Sequence, residues 1–214
     1  SYDAEPQGVR NVVGNQSFNQ VQDNHYSIDM SGDKQINLPW QTEKAVGDGL
    51  EFVFSSTKTS NTGILLESSG SSVGSEGRTL WDISLVPSSK NKGLLRFRLD
   101  KVNTGSSDIS SNNFTMDTSV TDFQNGDLWN VYLTRGNTTG SSEVTQSYHM
   151  YASHQNNDKI TTVVSASMVL SHSNAISAFR GTGSLENSGE FTGGNLILGR
   201  ELSGSISEVR LWKG

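Results

Sequence analysis

Three aromatic residues of this sequence are well placed to bind a sugar. Tyr132 and Tyr151 each lie in a segment of alternating polarity, out of phase with its apolar positions. Because successive side chains of a strand point to opposite faces, both rings are expected to face solvent. Trp40 follows Pro39 directly after a short predicted strand and would lie at a rim. Exposed aromatic rings offer an apolar face beside a polar group, so we predict that Trp40, Tyr132 and Tyr151 bind a ligand.

Other chemically reactive residues are sparse. Cysteine is absent, which excludes disulfides, thiolate zinc sites and cysteine nucleophiles. The four histidines lack the spacing of metal ligands. These residue types therefore indicate no histidine- or cysteine-based site.

Length and charge set the broad class. The chain has 214 residues and a formal net charge of -6, with a pI near 5.2. It carries no basic cluster, so nucleic-acid binding is not expected. No apolar run approaches the roughly 20 residues of a membrane helix, so membrane insertion is not expected either. The sequence begins with Ser-Tyr-Asp and not with Met, so we interpret the chain as a module of a longer protein.

The elements that position these side chains are predicted to be strands. Apolar residues alternate with polar ones in many short segments, of which Leu50, Phe52 and Phe54 are typical. Gly-, Ser- and Asn-rich turns separate the segments, and no convincing helical period is present. The pattern favours an all-β antiparallel sandwich.

Residues 195–213 read as a strand, a tight turn and a second strand with an irregular phase. Ile206, Val209 and Leu211 cannot all lie on one face of a regular strand. A phase slip is therefore expected between Ile206 and Val209, and a β-bulge is the usual way to make one.

This closing motif, Leu-Gly-x followed by Gly-x-Ile-x-x-Val-x-Leu-Trp, resembles the last strands of laminin G-like domains of the concanavalin A-like, pentraxin-containing superfamily. The resemblance implies a two-sheet antiparallel jelly-roll sandwich over residues 26–214, with residues 1–25 as an edge strand or linker. The expected core consists of Leu50, Phe52, Phe54, Leu95, Phe97, Leu99, Trp129, Val131, Leu133, Leu196, Leu198, Val209 and Leu211.

The resemblance also indicates where catalytic residues would lie. Relatives that hydrolyse β-glucans carry Glu-x-Asp-x-x-Glu on one strand, which places the first two carboxylates on the same face. No such triplet occurs here, and Asp82 has no carboxylate two or four residues away. The context of Arg96, Arg98, His149 and Tyr151 does not match that of the jelly-roll lyases. We therefore expect no enzymatic activity.

Pentraxin-like relatives bind calcium in two turns that correspond here to Asn61 and Glu201. Calcium prefers several carboxylate and carbonyl oxygens, so one amide and one carboxylate would bind it poorly. The resemblance thus leaves calcium open, and no other cofactor is expected.

These observations favour a non-catalytic binding module of a larger adhesin, cell-surface or virion protein. Its expected partner is a glycan or a protein surface, and its expected location is extracellular, on a cell surface or on a virion. One alternative is a structural module that contacts neighbouring subunits of an assembly, and another is a polysaccharide-degrading enzyme.

Overall fold

The computed structural model describes residues 11–13, 17–22, 25–30, 35–39, 48–57, 60–70, 78–99, 115–139, 144–156, 159–170 and 195–213. The strands in these residues are β1 (Asn11–Val13), β2 (Ser17–Gln22), β3 (His25–Asp29), β4 (Gln35–Pro39), β5 (Asp48–Ser56), β6 (Gly63–Gly70), β7 (Arg78–Pro87), β8 (Gly93–Leu99), β9 (Thr115–Asp117), β10 (Leu128–Thr139), β11 (Val144–Asn156), β12 (Lys159–Leu170), β13 (Asn195–Leu198) and β14 (Gly204–Lys213).

The strands form two 7-stranded antiparallel sheets. The first sheet has the order β1-β4-β13-β6-β7-β8-β9, and the second has the order β12-β11-β10-β5-β14-β3-β2. Buried side chains from both sheets form one hydrophobic core. The predicted all-β fold, a two-sheet antiparallel jelly-roll sandwich, is therefore confirmed. β1 and β2 are edge strands of the two sheets, while the division of the chain near residue 25 stays a prediction.

The predicted core is largely confirmed. Val209 is half-buried against the core, and the side chains of Leu99 and Leu211 lie outside the described part of the chain. The alternation of each strand explains this outcome, because one face of every segment is apolar. The predicted residues that are buried are Leu50, Phe52, Phe54, Leu95, Phe97, Trp129, Val131, Leu133, Leu196 and Leu198.

The predicted β-bulge is present in β14. The register against β5 runs from Ser207 opposite Val53 to Arg210 opposite Glu51, so β14 carries one extra residue there. Glu208 takes a positive φ of 51° at this point. The slip allows Ile206 and Val209 both to face the core, as their apolar side chains require.

The start of β14 has no room for a side chain at Gly204. A Cβ on Gly204 would lie 2.0 Å from the backbone oxygen of Ser55. We expect Gly204→Ala to lower the free energy of unfolding by about 1–3 kcal/mol, because β14 must move away from β5. Urea denaturation measures the change, with Ser205→Ala on the outward face as the control. An unchanged denaturation midpoint for Gly204→Ala would show that β14 accommodates the methyl group.

Candidate functional site

Two of the predicted ligand-binding residues lie side by side. Tyr132 on β10 pairs directly with Tyr151 on β11. Directly opposed residues in an antiparallel pair have Cβ atoms about 4.5–5.5 Å apart, so the two side chains leave the sheet side by side. Tyr132 is 40% exposed and Tyr151 is 45% exposed, which confirms that both point away from the core.

A row of polar side chains continues from the tyrosine pair across the sheet. Glu51 on β5 lies opposite Tyr132, and Arg210 on β14 lies opposite Glu51. On the other side, Ser165 on β12 lies opposite Tyr151. We call this outward side of the second sheet the tyrosine face.

Charged groups close one end of this row. Arg210 Nη1 lies 3.8 Å from Glu51 Oε2, and its Nη2 lies 2.9 Å from Glu208 Oε2. The β-bulge makes this contact possible, because Arg210 would point into the core if β14 were regular. The irregular phase in the sequence therefore places a cation and two carboxylates beside the aromatic pair.

The neighbouring rows of the tyrosine face are also polar. Thr134 lies opposite His149, and Asn130 lies opposite Ser153. Hydroxyl, amide, imidazole and carboxylate groups can each exchange hydrogen bonds with sugar hydroxyls. Aromatic rings can hold the apolar face of a sugar, and polar groups around them can fix its orientation.

The remaining predicted ligand-binding residue is not part of this arrangement. Trp40 lies outside the described residues, so its ligand-binding role stays a prediction.

The two predicted calcium-binding turns lie at one end of the sandwich. Asn61 is exposed between β5 and β6, and Glu201 is exposed between β13 and β14. The turn of Glu201 contacts residues on both sides of Asn61, since Thr57 N donates to Ser203 O at 3.1 Å and Ile64 N donates to Arg200 O at 2.8 Å. In the ranges that the structure describes, no group of three or more His, Asp or Glu side chains is arranged to hold a metal ion. Calcium binding at Asn61 and Glu201 stays a prediction.

The outward side of the first sheet carries a charged cluster that the sequence pattern did not reveal. Glu67 on β6 pairs directly with Asp82 on β7, and each side chain is only 3% exposed. Arg98 Nε donates to Asp82 Oδ2 at 2.7 Å, and Arg200 Nη2 lies 2.8 Å from Glu67 Oε2. We call these four residues the buried ion-pair cluster. The carboxylates come from different strands, so only the register of β6 against β7 could have shown their proximity.

Burial is the largest influence on the Asp82 carboxyl. It raises the pKa of Asp82, because removing a carboxylate from water disfavours its charged form. Arg98 opposes this effect, and the nearby Glu67 carboxylate adds to it. The side chains of Arg98 and Arg200 are 45% and 43% exposed, whereas those of Asp82 and Glu67 are each 3% exposed.

Replacing Asp82 with asparagine is expected to change how stability depends on pH. The raised pKa means that Asp82 contributes stability that is fully present below its unfolded pKa of about 3.9 and is lost as pH rises through the folded pKa. The free energy of unfolding of the unsubstituted protein, relative to Asp82→Asn, should therefore fall as pH rises above about 4. Urea denaturation of both proteins at several pH values measures this difference. Parallel pH profiles would contradict the raised pKa.

Comparison with known proteins identifies similar folds. No family model and no curated protein matches the sequence. Full-length tailspike protein 2 from an Escherichia coli O157:H7 bacteriophage matches 95% of this chain, with a TM-score of 0.53 and 10% sequence identity. This chain covers 25% of that tailspike, about a quarter of its length.

Two further solved structures are similar at lower scores. The enzymatically active domain of a bacteriophage tailspike protein 2 has a TM-score of 0.49 and 11% identity, over 93% of this chain and 27% of its own. An alginate lyase from Pseudomonas aeruginosa has a TM-score of 0.41 and 11% identity, over 94% of this chain and 88% of its own. At these identities the full-length tailspike match shows a shared fold alone.

A helix of the length and apolarity needed to cross a membrane does not occur in the part of the chain described here.

Proposed function

We propose that this chain is a non-catalytic glycan-binding module of a virion or cell-surface protein. The exposed pair of Tyr132 and Tyr151 carries the proposal, because two tyrosines at paired positions can form a platform for the apolar face of a sugar. Glu51, Arg210 and the neighbouring hydroxyl and amide groups supply the hydrogen bonds that fix its orientation. We further propose that the sandwich is of the laminin G-like, concanavalin A-like kind.

The virion assignment is supported by the likeness in fold to a bacteriophage tailspike. An attachment protein on a virion meets cell-surface polysaccharides first, which suits a polar face with exposed aromatic rings. We place the protein outside the cell or on the virion for the same reason. Its partners would be a glycan, or a protein surface engaged through the same face.

The absence of catalysis in this proposal is supported by the buried ion-pair cluster. Glycoside hydrolysis uses two carboxyl groups that both reach the glycosidic bond. Glu67 and Asp82 are adjacent, yet each is covered and bound to an arginine. A polysaccharide-degrading enzyme remains the competing function, and polysaccharide cleavage assays distinguish it directly.

A glycan array that includes bacterial surface polysaccharides tests the proposal. The purified chain should bind a set of glycans, and parallel incubations with calcium and with a chelator show whether the turns of Asn61 and Glu201 take part. The same polysaccharides in solution should show no new reducing ends and no unsaturated products. Cleavage would overturn the non-catalytic assignment, and a folded chain that binds no glycan would overturn the glycan-binding one.

A further inference from the structure

Among the described strands, the second sheet ends at a long edge strand. β12 (Lys159–Leu170) pairs with β11, and no other described strand pairs with it. An edge strand presents a row of backbone N–H and C=O groups that can pair with another strand. A register shift near the turn of this hairpin gives β12 one extra residue, Thr161. Residues 162–170 therefore form a regular edge.

Beyond the turn end of β12, residues 162–170 lack the features that usually prevent association. Natural edges are protected by charges, proline or bulges. β12 contains no proline, glycine or acidic residue, and its only charge is Lys159 at one end. Val163 is 58% exposed and Val169 is 66% exposed on its outward side. Residues 162–170 are thus uncharged and apolar in part, and no described strand pairs with their outer edge.

From residue 163 to residue 169, the order of apolar and polar positions along β12 is the same in both directions. On the outward side, the sequence from 163 to 169 reads Val163, Ser165, Ser167, Val169. On the inward side it reads Val164, Ala166, Met168, and all three contact the core. Both sides are therefore symmetric in chemical type about Ala166.

We propose that β12 pairs antiparallel with β12 of a second copy of this chain, about a two-fold axis at Ala166. In this register Val163 faces Val169 of the second copy, and Ser165 faces its Ser167. A shift of two residues in either direction places a valine opposite a serine, and a shift of one residue breaks the match of the two faces. An axis perpendicular to the sheet keeps both outward faces on the same side, so the dimer has one continuous sheet.

The second copy is the favoured occupant because the match is to the strand itself. A different partner would need its own complementary strand. In a two-fold dimer, β12 of the second copy is that strand, and its apolar and polar positions already match those of the first. The central strand segment carries no charge, so no like charges meet at the axis.

The dimer would bring two tyrosine faces onto one surface, a consequence that rests on the proposed function. Tyr151 lies one strand from β12, so it is three strand spacings, about 15 Å, from the same residue of the second copy. One polysaccharide chain can then contact both faces and gain avidity. The strand pairing itself does not depend on glycan binding.

Charge placement at the axis tests the pairing and its register. The variant Ser165→Lys/Ser167→Lys puts lysines opposite lysines, and we expect it to weaken dimerisation by about tenfold or more. The variant Ser165→Lys/Ser167→Glu puts each new lysine opposite a new glutamate, so it should dimerise like the unsubstituted protein. Ser88→Lys/Ser89→Lys, in the exposed turn between β7 and β8, is the control for added charge.

Light scattering over a concentration series gives the result. The unsubstituted protein should approach twice its chain mass of 23.2 kDa, and the double-lysine variant should stay near that chain mass. Circular dichroism checks that each variant is folded. A monomer at every concentration, a higher oligomer, or a double-lysine variant that dimerises normally would overturn the proposal.

Hydrogen exchange on the unsubstituted protein tests the pairing without variants. If β12 pairs with a second copy, backbone amides of residues 162–170 should exchange faster when the protein is diluted. Exchange rates that do not depend on concentration would contradict the pairing.

Discussion

Replacing Tyr132 and Tyr151 together with alanine is expected to weaken glycan binding by at least about thirtyfold. Buried tyrosines at binding interfaces often contribute about 2 kcal/mol each, and thirtyfold corresponds to about 2 kcal/mol. The loss should be large because both rings belong to one platform and no other described side chain lies between them. Titration calorimetry with a glycan identified on the array measures the change in Kd.

The matched control is Tyr132→Phe/Tyr151→Phe, which keeps both rings and removes only the hydroxyl groups. It should lose much less affinity than the alanine variant if stacking dominates. Both side chains point away from the core, so the thermal midpoint of either variant should stay close to that of the unsubstituted protein. Equal affinity of the alanine variant and the unsubstituted protein would place the binding site elsewhere.

Replacing Arg98 with methionine is expected to lower the free energy of unfolding by about 3 kcal/mol. Removal of one partner from a buried ion pair leaves an uncompensated charge, and the usual loss is about 3–5 kcal/mol. We expect a loss at the lower end of this range because Arg98 is 45% exposed. The loss should still be substantial because Asp82 is 3% exposed and lies beside Glu67. Urea denaturation near neutral pH measures the loss.

Two further variants isolate the cause of this loss. Asp82→Asn in the same chain removes the charge that Arg98 compensates, so the double variant should recover much of the stability. Arg96→Met is the matched control on the same strand, because its partner Asp117 is 35% exposed and such pairs contribute about 1 kcal/mol or less. Equal losses for Arg96→Met and Arg98→Met would show that burial of the carboxylate has no special effect.

Much of the fold could be predicted from the sequence because it depends on local periodicity. Alternation of apolar and polar residues determines which side of each strand is buried, so the core and the exposure of Tyr132 and Tyr151 followed from it. The β-bulge followed from the same rule, since Ile206 and Val209 cannot both face inward without a slip. Here a local conflict in phase predicted a specific structural feature.

The composition of the site depends on strand register, which the sequence does not specify by itself. Nothing in the pattern shows that Tyr132 faces Tyr151, or that Glu51 and Arg210 continue the same row. Glu67 and Asp82 were missed for this reason, because their proximity requires β6 and β7 to pair in one register. Same-strand spacing was the wrong criterion for finding paired carboxylates in a sheet.

Hydroxyl-radical footprinting with a bound polysaccharide tests the central claim most directly. Tyrosine rings that contact the ligand should be protected from oxidation, and mass spectrometry assigns the protection to residues. We predict that Tyr132 and Tyr151 are oxidised rapidly in the free protein and slowly in the complex, while buried Tyr148 reacts slowly in both. Unchanged oxidation of Tyr132 and Tyr151, with protection at another surface, would contradict the assignment of the tyrosine face as the glycan-binding site.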